Sequence, residues 1–474
     1  MKQSDQKASS AEVVELPSRV HVVGMGGAGM GAIATLLIET GRRISGSDLK
    51  DSPQLERLRR RGATVFVGHS PSNIEGAELV AASSAIRDDN PEVTEARRRG
   101  LPVASRADML AALTSKRRVL AVAGTHGKTT TTALLARVLQ AAGFQPGFLI
   151  GGDLIGGAEP ASLGATDWMV LEADESDGTF LRLNPTGAIV TNVEADHLDH
   201  YGSIEQLIEA FGSFVERVSG PVVLCADDEV ASSLSERSVR SVTYGTSPSS
   251  HYRIEALSVR PSGTSFDVVG PSGALGSFRI GIPGAHLARN ATAALVLASQ
   301  LGAELDSAAA ALESFQGVAR RWQRYEPIEG VTFVDDYAHL PSEVRATLAA
   351  ARASGHDRVV CVFQPHRYSR VGALWQSFGD AFVDADLLVV TEVYAAGEEP
   401  VPGVSGELVA TAAMEACPGL EVVFAPGREE VVEVLARRLR PGDLCVVLSA
   451  GDMVGLHAQV FDKTAAGGQR KTGR

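Results

Sequence analysis

Lys128 and Thr129 close the stretch Ala123-Gly124-Thr125-His126-Gly127-Lys128-Thr129-Thr130, set between an apolar run and a long helical one. In such a turn loop N–H groups cradle phosphate oxygens, the lysine reaches the β and γ phosphates, and the hydroxyl holds Mg2+. The usual pattern also has a glycine five positions before Gly127. Val122 stands there, so Gly124 must supply the turn. With strand, glycines, lysine and hydroxyls in register, ATP is the expected ligand of this loop.

A second glycine-rich turn, Gly24-Met25-Gly26-Gly27-Ala28-Gly29, follows Val20-His21-Val22-Val23 and opens a helix. Its glycines let the backbone turn tightly against a pyrophosphate, which the unpaired N–H groups of the helix N-terminus attract. The spacing fits a dinucleotide or a nucleoside diphosphate without separating them. Asp48, at the end of the second strand, either contacts a ribose or is a solvated turn residue. Two phosphate loops in succession argue against a dehydrogenase, which has no use for a γ-phosphate.

Glu172 ends an apolar strand in Val170-Leu171-Glu172-Ala173-Asp174-Glu175-Ser176-Asp177. A carboxylate at that place after a P-loop strand and helix ligates a metal or orients attacking groups. Asp174, Glu175 and Asp177 fit a solvated acidic loop equally well. Past the next strand comes Thr191-Asn192-Val193-Glu194-Ala195-Asp196-His197-Leu198-Asp199-His200-Tyr201. An imidazole beside acids suits a divalent cation, which joins His197 to Thr129 and Glu172 as a metal-ligand candidate. Further on, Asp335-Asp336-Tyr337-Ala338-His339 and Gln364-Pro365-His366-Arg367-Tyr368-Ser369-Arg370 each follow an apolar strand. Arg367 and Arg370 have the spacing to grip a carboxylate or phosphate with forked donors. The plainer alternative is a surface salt-bridge patch.

These residues need strands that end along common edges, and the chain supplies them. Short β-branched runs alternate with helical stretches, the pattern of α/β domains with mostly parallel sheets. A length of 474 residues calls for about three domains. We read residues 1–17 as a disordered tail and residues 18–115 as a Rossmann-like domain. Residues 116–325 form a central P-loop ATPase α/β domain, and residues 326–474 a C-terminal Rossmann-like α/β domain. Between Tyr252 and Ile282 polar and apolar residues alternate, which predicts a small antiparallel excursion before a helix from His286 to Leu301. The last residues, from Phe461, read as a frayed tail.

A formal charge of −13 argues against nucleic acid, whose partners carry a basic stripe. No run reaches the roughly 18 apolar residues of a membrane span, and the first residues lack the apolar core of a signal peptide. Cys225, Cys361, Cys417 and Cys445 are scattered, three of them in apolar runs, as expected of free thiols in a reducing cytosol.

Taken in order, the segments resemble the Mur ligase family. HVVGMGGAGM, SSAIRDDNPE, AVAGTHGKTTTTALLA, LEADESDGTFL, TNVEADHLDHY, GVARRWQ, DDYAHLPSE, FQPHRYSR, EVYAAGE and SAGDM carry the resemblance. It implies a UDP-sugar, not a nicotinamide, at Gly24, Gly26, Gly27, Ala28, Gly29 and Asp48, with Ser83 and Ser84 nearby. It implies ATP and Mg2+ at Lys128 and Thr129, a first metal at Glu172 and a second at His197. His286 and Asn290 would face the adenine, Arg321 the phosphates and Asp336 the ribose. His339, Arg367 and Arg370 would lie near the reacting carboxylate and the incoming amino acid. Two positions depart from the family pattern: Leu340, where a second histidine is usual, and Leu287, where an asparagine is usual.

The activity so implied is ATP-dependent amide formation between UDP-N-acetylmuramate and L-alanine through an acyl phosphate, by a cytoplasmic monomer or weak homodimer. The nearest alternative within the family reattaches a recycled murein peptide to the same sugar nucleotide.

Overall fold

The computed structural model describes residues 14–83 and 85–469. Most of the expected N-terminal tail, and Ser84, lie outside the described residues. The chain divides into two compact units. One comprises residues 1–153, 158–243 and 293–305, the other residues 154–157, 244–292 and 306–474. Three sheets, mostly parallel and connected through helices, bear out the expected α/β class.

The first unit opens with a parallel sheet of β1 (Arg19–Val23), β2 (Arg43–Asp48), β3 (Thr64–Val67), β4 (Leu79–Ala82) and β5 (Val103–Ser105). Their order is β3-β2-β1-β4-β5. Four helices, α1 (Ala28–Glu39), α2 (Pro53–Arg60), α3 (Pro91–Arg98) and α4 (Arg106–Thr114), accompany them. Local chemistry sets where they start. Ser52 and Asn90 cap α2 and α3 with proline in the first turn, and Ser105 and Asp108 form a reciprocal capping box on α4. The strand order reverses beside β1, so the glycine loop after it opens at the switch point where such sheets take ligands.

The second sheet of this unit contains β6 (Arg118–Ala123), followed by α5 (Lys128–Ala141), then β7 (Gly147–Leu149), β8 (Ala161–Ser162), β9 (Trp168–Glu172), β10 (Gly187–Val190) and β11 (Val222–Cys225). The order β11-β10-β6-β9-β7-β8 puts β6 between β10 and β9, both parallel to it. All of β6 except Arg118 is buried, which is why it reads as a continuous apolar run. The loops after β6, β9 and β10 therefore leave the sheet at one edge.

The chain passes to the second unit within β12 (Ser241–Gly245). The predicted excursion is there: β13 (Tyr252–Arg260), β14 (Gly263–Gly270) and β15 (Gly273–Ile280) pair antiparallel. The expected helix spans Ala285–Gln300. The third sheet holds β16 (Gln323–Arg324), β17 (Thr332–Asp336), β18 (Arg358–Gln364), β19 (Leu387–Val390), β20 (Glu421–Phe424) and β21 (Asp443–Ser449), in the order β16-β17-β21-β18-β19-β20. Only the β16–β17 pair is antiparallel. Register aligns Asp336 with Leu448 and Gln364 with Ser449, so the loops bearing His339 and Arg367 start from the same edge.

One expectation is corrected. The stretch from Phe461 is not frayed as far as it is described: a helix runs Leu456–Gln469. Buried Leu456 and Val460, with Phe461 beside them, fasten it to the core around Phe333, Val360 and Cys445. Cys225, Cys361 and Cys445 are buried, Cys417 half-buried, and all four are free thiols. Among the described residues no helix is long and apolar enough to cross a membrane.

Candidate active site

The P-loop is built from backbone that only glycine tolerates. Gly124 has φ +131°, and a Cβ there would lie 2.1 Å from Thr191 Oγ1. Gly127, at φ +77°, caps α5. The loop is braced by the segment after β10: His126 N–H donates to Asn192 Oδ1 (2.8 Å), Thr125 N–H to Asn192 O (3.1 Å) and Thr191 Oγ1 to His126 O (2.6 Å). Asn192 escaped the sequence reading as a functional residue, although it stands two positions past the end of β10, in the same segment as His197.

Lys128 Nζ donates to both Glu175 carboxylate oxygens (2.9 and 2.8 Å) and to Gly124 O (2.6 Å). Burial opposes its charge, but Glu175, Asp174 and Glu172 outweigh that and raise its pKa. Glu175, one of the acids with an ambiguous reading, is thus a buried partner of the P-loop lysine. Asp174 accepts from Arg106 Nη1 at 3.0 Å. Burial works against the Asp174 carboxylate too, yet Lys128 and Arg106 hold it well below the usual carboxylate range. Glu172 closes β9 beside Val122 of β6 and accepts from Gly151 N–H at 2.6 Å. His197, in left-handed backbone at φ +55°, has Nε2 3.3 Å from Asp196 Oδ2. Thr129 is buried in the first turn of α5. Among the described residues no three His, Cys, Asp or Glu side chains cluster as a metal-binding group.

At the other phosphate loop Asp48 has a definite task. Its Oδ2 accepts the Gly26 N–H at 2.9 Å and its Oδ1 the Leu49 N–H at 2.8 Å. Gly24 and Met25 N–H groups reach Ser47 O at 2.8 and 3.1 Å. The end of β2 therefore fixes the glycine loop, a role that neither reading of Asp48 included. Ser83 borders the loop, 3.7 Å from where a Gly24 Cβ would stand.

In the second unit Asp336 ends β17, with Oδ2 accepting from Trp322 N–H (2.7 Å) and Oδ1 from Ala338 N–H (2.9 Å). Burial pushes its pKa up to about 6, against the opposing pull of Arg321. Arg321 and Arg320 lie over the Tyr337 ring, 4.7 and 4.8 Å from its centre. Glu343 accepts from the His339 and Leu340 N–H groups at 2.9 and 3.2 Å. The His339 ring meets His366 edge-on at 5.7 Å, and Arg370 Nη1 lies 2.9 Å from His366 Nδ1. Arg367, at φ +67°, donates its N–H to Tyr394 O at 2.9 Å. His339 and Arg370 thus meet at His366, a residue within a quoted motif to which no role had been given, and Arg367 is its neighbour in the chain. On the helix Ala285–Gln300, Asn290 is buried, and His286 has its pKa lowered to about 4 by burial and then by Arg289. Leu287 and Leu340, the two departures from the family pattern, are both buried.

The first unit carries two glycine-built loops and a lysine held charged among acids, and the second carries an arginine beside a histidine pair. The chain belongs to the Mur ligase family. Residues 19–118 match the model described as "Mur ligase family, catalytic domain", residues 122–298 the Mur ligase middle domain and residues 320–451 the "Mur ligase, glutamate ligase domain". Among its relatives is the UDP-N-acetylmuramate–L-alanine ligase of Anaeromyxobacter sp. (strain Fw109-5), 46% identical over 440 residues, which cover 92% of this chain and 96% of that protein. The enzyme of the same name from Myxococcus xanthus is 45% identical, over 94% of this chain and 95% of its own. The crystal structure of the UDP-N-acetylmuramate-alanine ligase of Thermotoga maritima superposes with TM-score 0.79 at 31% identity, covering 95% of this chain and 99% of that one. A murein peptide ligase from Psychrobacter arcticus superposes with TM-score 0.69 at 25% identity, over 94% and 99%.

Proposed function

We propose that the chain joins L-alanine to the carboxylate of UDP-N-acetylmuramate at the expense of ATP, a step in peptidoglycan precursor synthesis. The observation that carries this is Lys128, held charged at the N-terminus of α5 in a glycine-built loop, in a chain 46% identical to a relative of that name.

A carboxylate is anionic and lacks a leaving group, so the amine of alanine cannot displace its oxygen directly. Transfer of the ATP γ-phosphoryl to that carboxylate gives an acyl phosphate, from which the amine expels phosphate. Lys128 supplies fixed positive charge where negative charge spreads over the transferring phosphoryl oxygens. Thr129 and Glu172 offer the hard oxygen donors suited to Mg2+, which keeps most of its ligands as water and phosphate. They are the residues to hold it, with His197 at a second site. Mg2+, when bound, neutralises phosphate charge. Arg367 and Arg370 present forked donors to a carboxylate. His339 takes the ammonium proton, or His197 where its imidazole holds no metal. The four free cysteines agree with a cytoplasmic enzyme.

The recycling alternative is weaker: the Psychrobacter arcticus murein peptide ligase is 25% identical to this chain, against 46% for the alanine ligase of Anaeromyxobacter sp.. The test is phosphate release from ATP with Mg2+ and UDP-N-acetylmuramate, with L-alanine or a murein tripeptide as acceptor. Release that requires all three substrates and prefers alanine supports the proposal. Release with the tripeptide alone overturns it in favour of recycling.

A further inference from the structure

His339 sits in the loop between β17 and the helix Pro341–Ala353, and Glu343 is in the first turn of that helix. Glu343 Oε2 accepts the N–H groups of His339 and Leu340, and it also lies 3.2 Å from His339 Nδ1. The same Nδ1 is 2.9 Å from Tyr337 O. A backbone carbonyl and a carboxylate can only accept hydrogen bonds. Nδ1 therefore carries a proton, and in the neutral ring the lone pair is at Nε2.

His366 is arranged the other way round. Arg370 Nη1, which can only donate, lies 2.9 Å from His366 Nδ1. The Nδ1 lone pair faces that guanidinium, which puts the His366 proton on Nε2. The two rings meet edge-on with centres 5.7 Å apart, so neighbouring histidines hold opposite tautomers. When His339 takes up a second proton, the Glu343 carboxylate already stands beside the new charge. At His366 a guanidinium stands there instead. The other titratable or charged groups around this pair are Tyr337, whose ring is 5.4 Å from that of His339, and Arg321, Asp336 and His286, which face Glu343.

We propose that Glu343 is a positioning residue for amide formation: it holds His339 with its proton on Nδ1, so that Nε2 takes a proton from the alanine ammonium. The proposal rests on the reading of the chain as an alanine ligase and chooses between its two candidate bases. Loss of that proton frees the nitrogen lone pair, which forms the C–N bond at the acyl-phosphate carbon. As the C–O bond breaks, its electron pair leaves with the phosphate, which takes up the second proton that the nitrogen sheds. His339 passes the first proton to water. Glu343 offsets the charge that the imidazole carries in between.

The experiment is the pH profile of kcat for phosphate release by the full chain, at saturating ATP, Mg2+, UDP-N-acetylmuramate and L-alanine. It compares wild type with Glu343→Gln, His339→Asn and the double variant. Glutamine keeps an acceptor for the His339 and Leu340 N–H groups, so the start of the helix is preserved. We expect Glu343→Gln to be about ten- to a hundredfold slower at neutral pH, with KM for ATP within twofold of wild type. Its acid limb should move to lower pH by about one unit, because the imidazolium has lost its carboxylate. The double variant should be no slower than His339→Asn, since Glu343 acts through that ring. A Glu343→Gln profile parallel to that of wild type, or a double variant slower than His339→Asn, shows a merely structural role and overturns the proposal. Nitrogen NMR of histidine-labelled wild type, with His339→Asn to assign the signal, reads the tautomer even if Glu343→Gln fails to fold. A proton on Nδ1 supports the proposal, and a proton on Nε2 alone overturns it. Wild type that releases no phosphate with alanine defeats the functional reading instead, and the tautomer still judges Glu343.

Discussion

The Lys128 ammonium lies 2.8 and 2.9 Å from the two carboxylate oxygens of Glu175, a side chain only 2% exposed. The P-loop cation is thus paired inside the protein, and its hydrogen bond to Gly124 O ties the same nitrogen to the loop it serves. On the proposed binding of ATP, Lys128 leaves Glu175 at least in part, and that carboxylate then needs another partner.

Removing the lysine alone should therefore damage stability as well as chemistry. Lys128→Ala leaves Glu175 buried and unpaired, at a cost of about 3–5 kcal/mol. In Lys128→Ala/Glu175→Gln the stranded charge is gone, so most of the lost stability should return while phosphate release stays abolished. Thermal denaturation of the single and double variants, beside a phosphate-release assay, checks both halves. A double variant no more stable than Lys128→Ala defeats the argument.

A second buried carboxylate governs the acid limb of stability. Glu92 is fully buried behind the glycine loop. It accepts from Ser47 Oγ (2.5 Å) and Asn73 Nδ2 (2.6 Å), with His21 Nε2 at 3.4 Å and His69 Nδ1 at 3.3 Å. Burial raises its pKa, but His21, Ser47 and Asn73 together lower it to about 2 from an ordinary 4.5. A depressed carboxylate pKa gives stability that is complete above pH 4.5 and lost as pH falls through the window down to about 2. The amount is about 3 kcal/mol. Glu92→Gln should be less stable than wild type at pH 7, with the difference shrinking toward pH 3. Denaturant titrations at pH 7, 4 and 3 measure it, and a gap independent of pH sinks the assignment.

How far the sequence could be read follows from which interactions are local. β6 could be placed at Arg118–Ala123 because it is apolar along its length and ends at glycine. The antiparallel excursion showed in its alternation. What could not be read depends on chain segments brought together from afar. Arg106 meets Asp174, 68 residues on, and nothing in its own surroundings announces the pairing. Glu92 sits in a helix rich in charge, where a buried acid has no separate signature, and its partners come from β1, β2 and the segment after β3. Asp48 was visible as a strand-end acid, but its bond to Gly26 N–H needed the geometry of the loop. The terminal helix was missed because its hold on the core comes from Leu456 and Val460, which precede the stretch read as a tail.

Alanine selectivity should be modest toward smaller or similar side chains. A pocket that measures one methyl group discriminates by about 1–3 kcal/mol. Glycine and serine should therefore support phosphate release at reduced kcat/KM, whereas bulky amino acids should not. Equal kcat/KM for alanine and phenylalanine contradicts this.

Asp336 and His286 make a contrasting prediction about nucleotide binding and pH. Burial raises the Asp336 pKa to about 6, and burial with Arg289 lowers that of His286 to about 4. Asp336 therefore gains its charge between pH 5 and 7, while His286 is already neutral across that range. Because the folded pKa of Asp336 exceeds its ordinary 3.8, ionisation costs fold stability as pH rises from 3.8 to about 6. A carboxylate that accepts ribose hydroxyls makes up part of that cost on binding. ADP affinity should accordingly rise with pH through about 6 and level off above it. The ligand's own phosphate titration cancels when wild type is compared with Asp336→Asn at each pH. The ratio of their dissociation constants should change several-fold from pH 5 to 7.5, and the ratio for His286→Asn should stay flat. A flat ratio for Asp336→Asn removes Asp336 from the ribose and leaves it as the clamp that holds the backbone of Trp322 and Ala338.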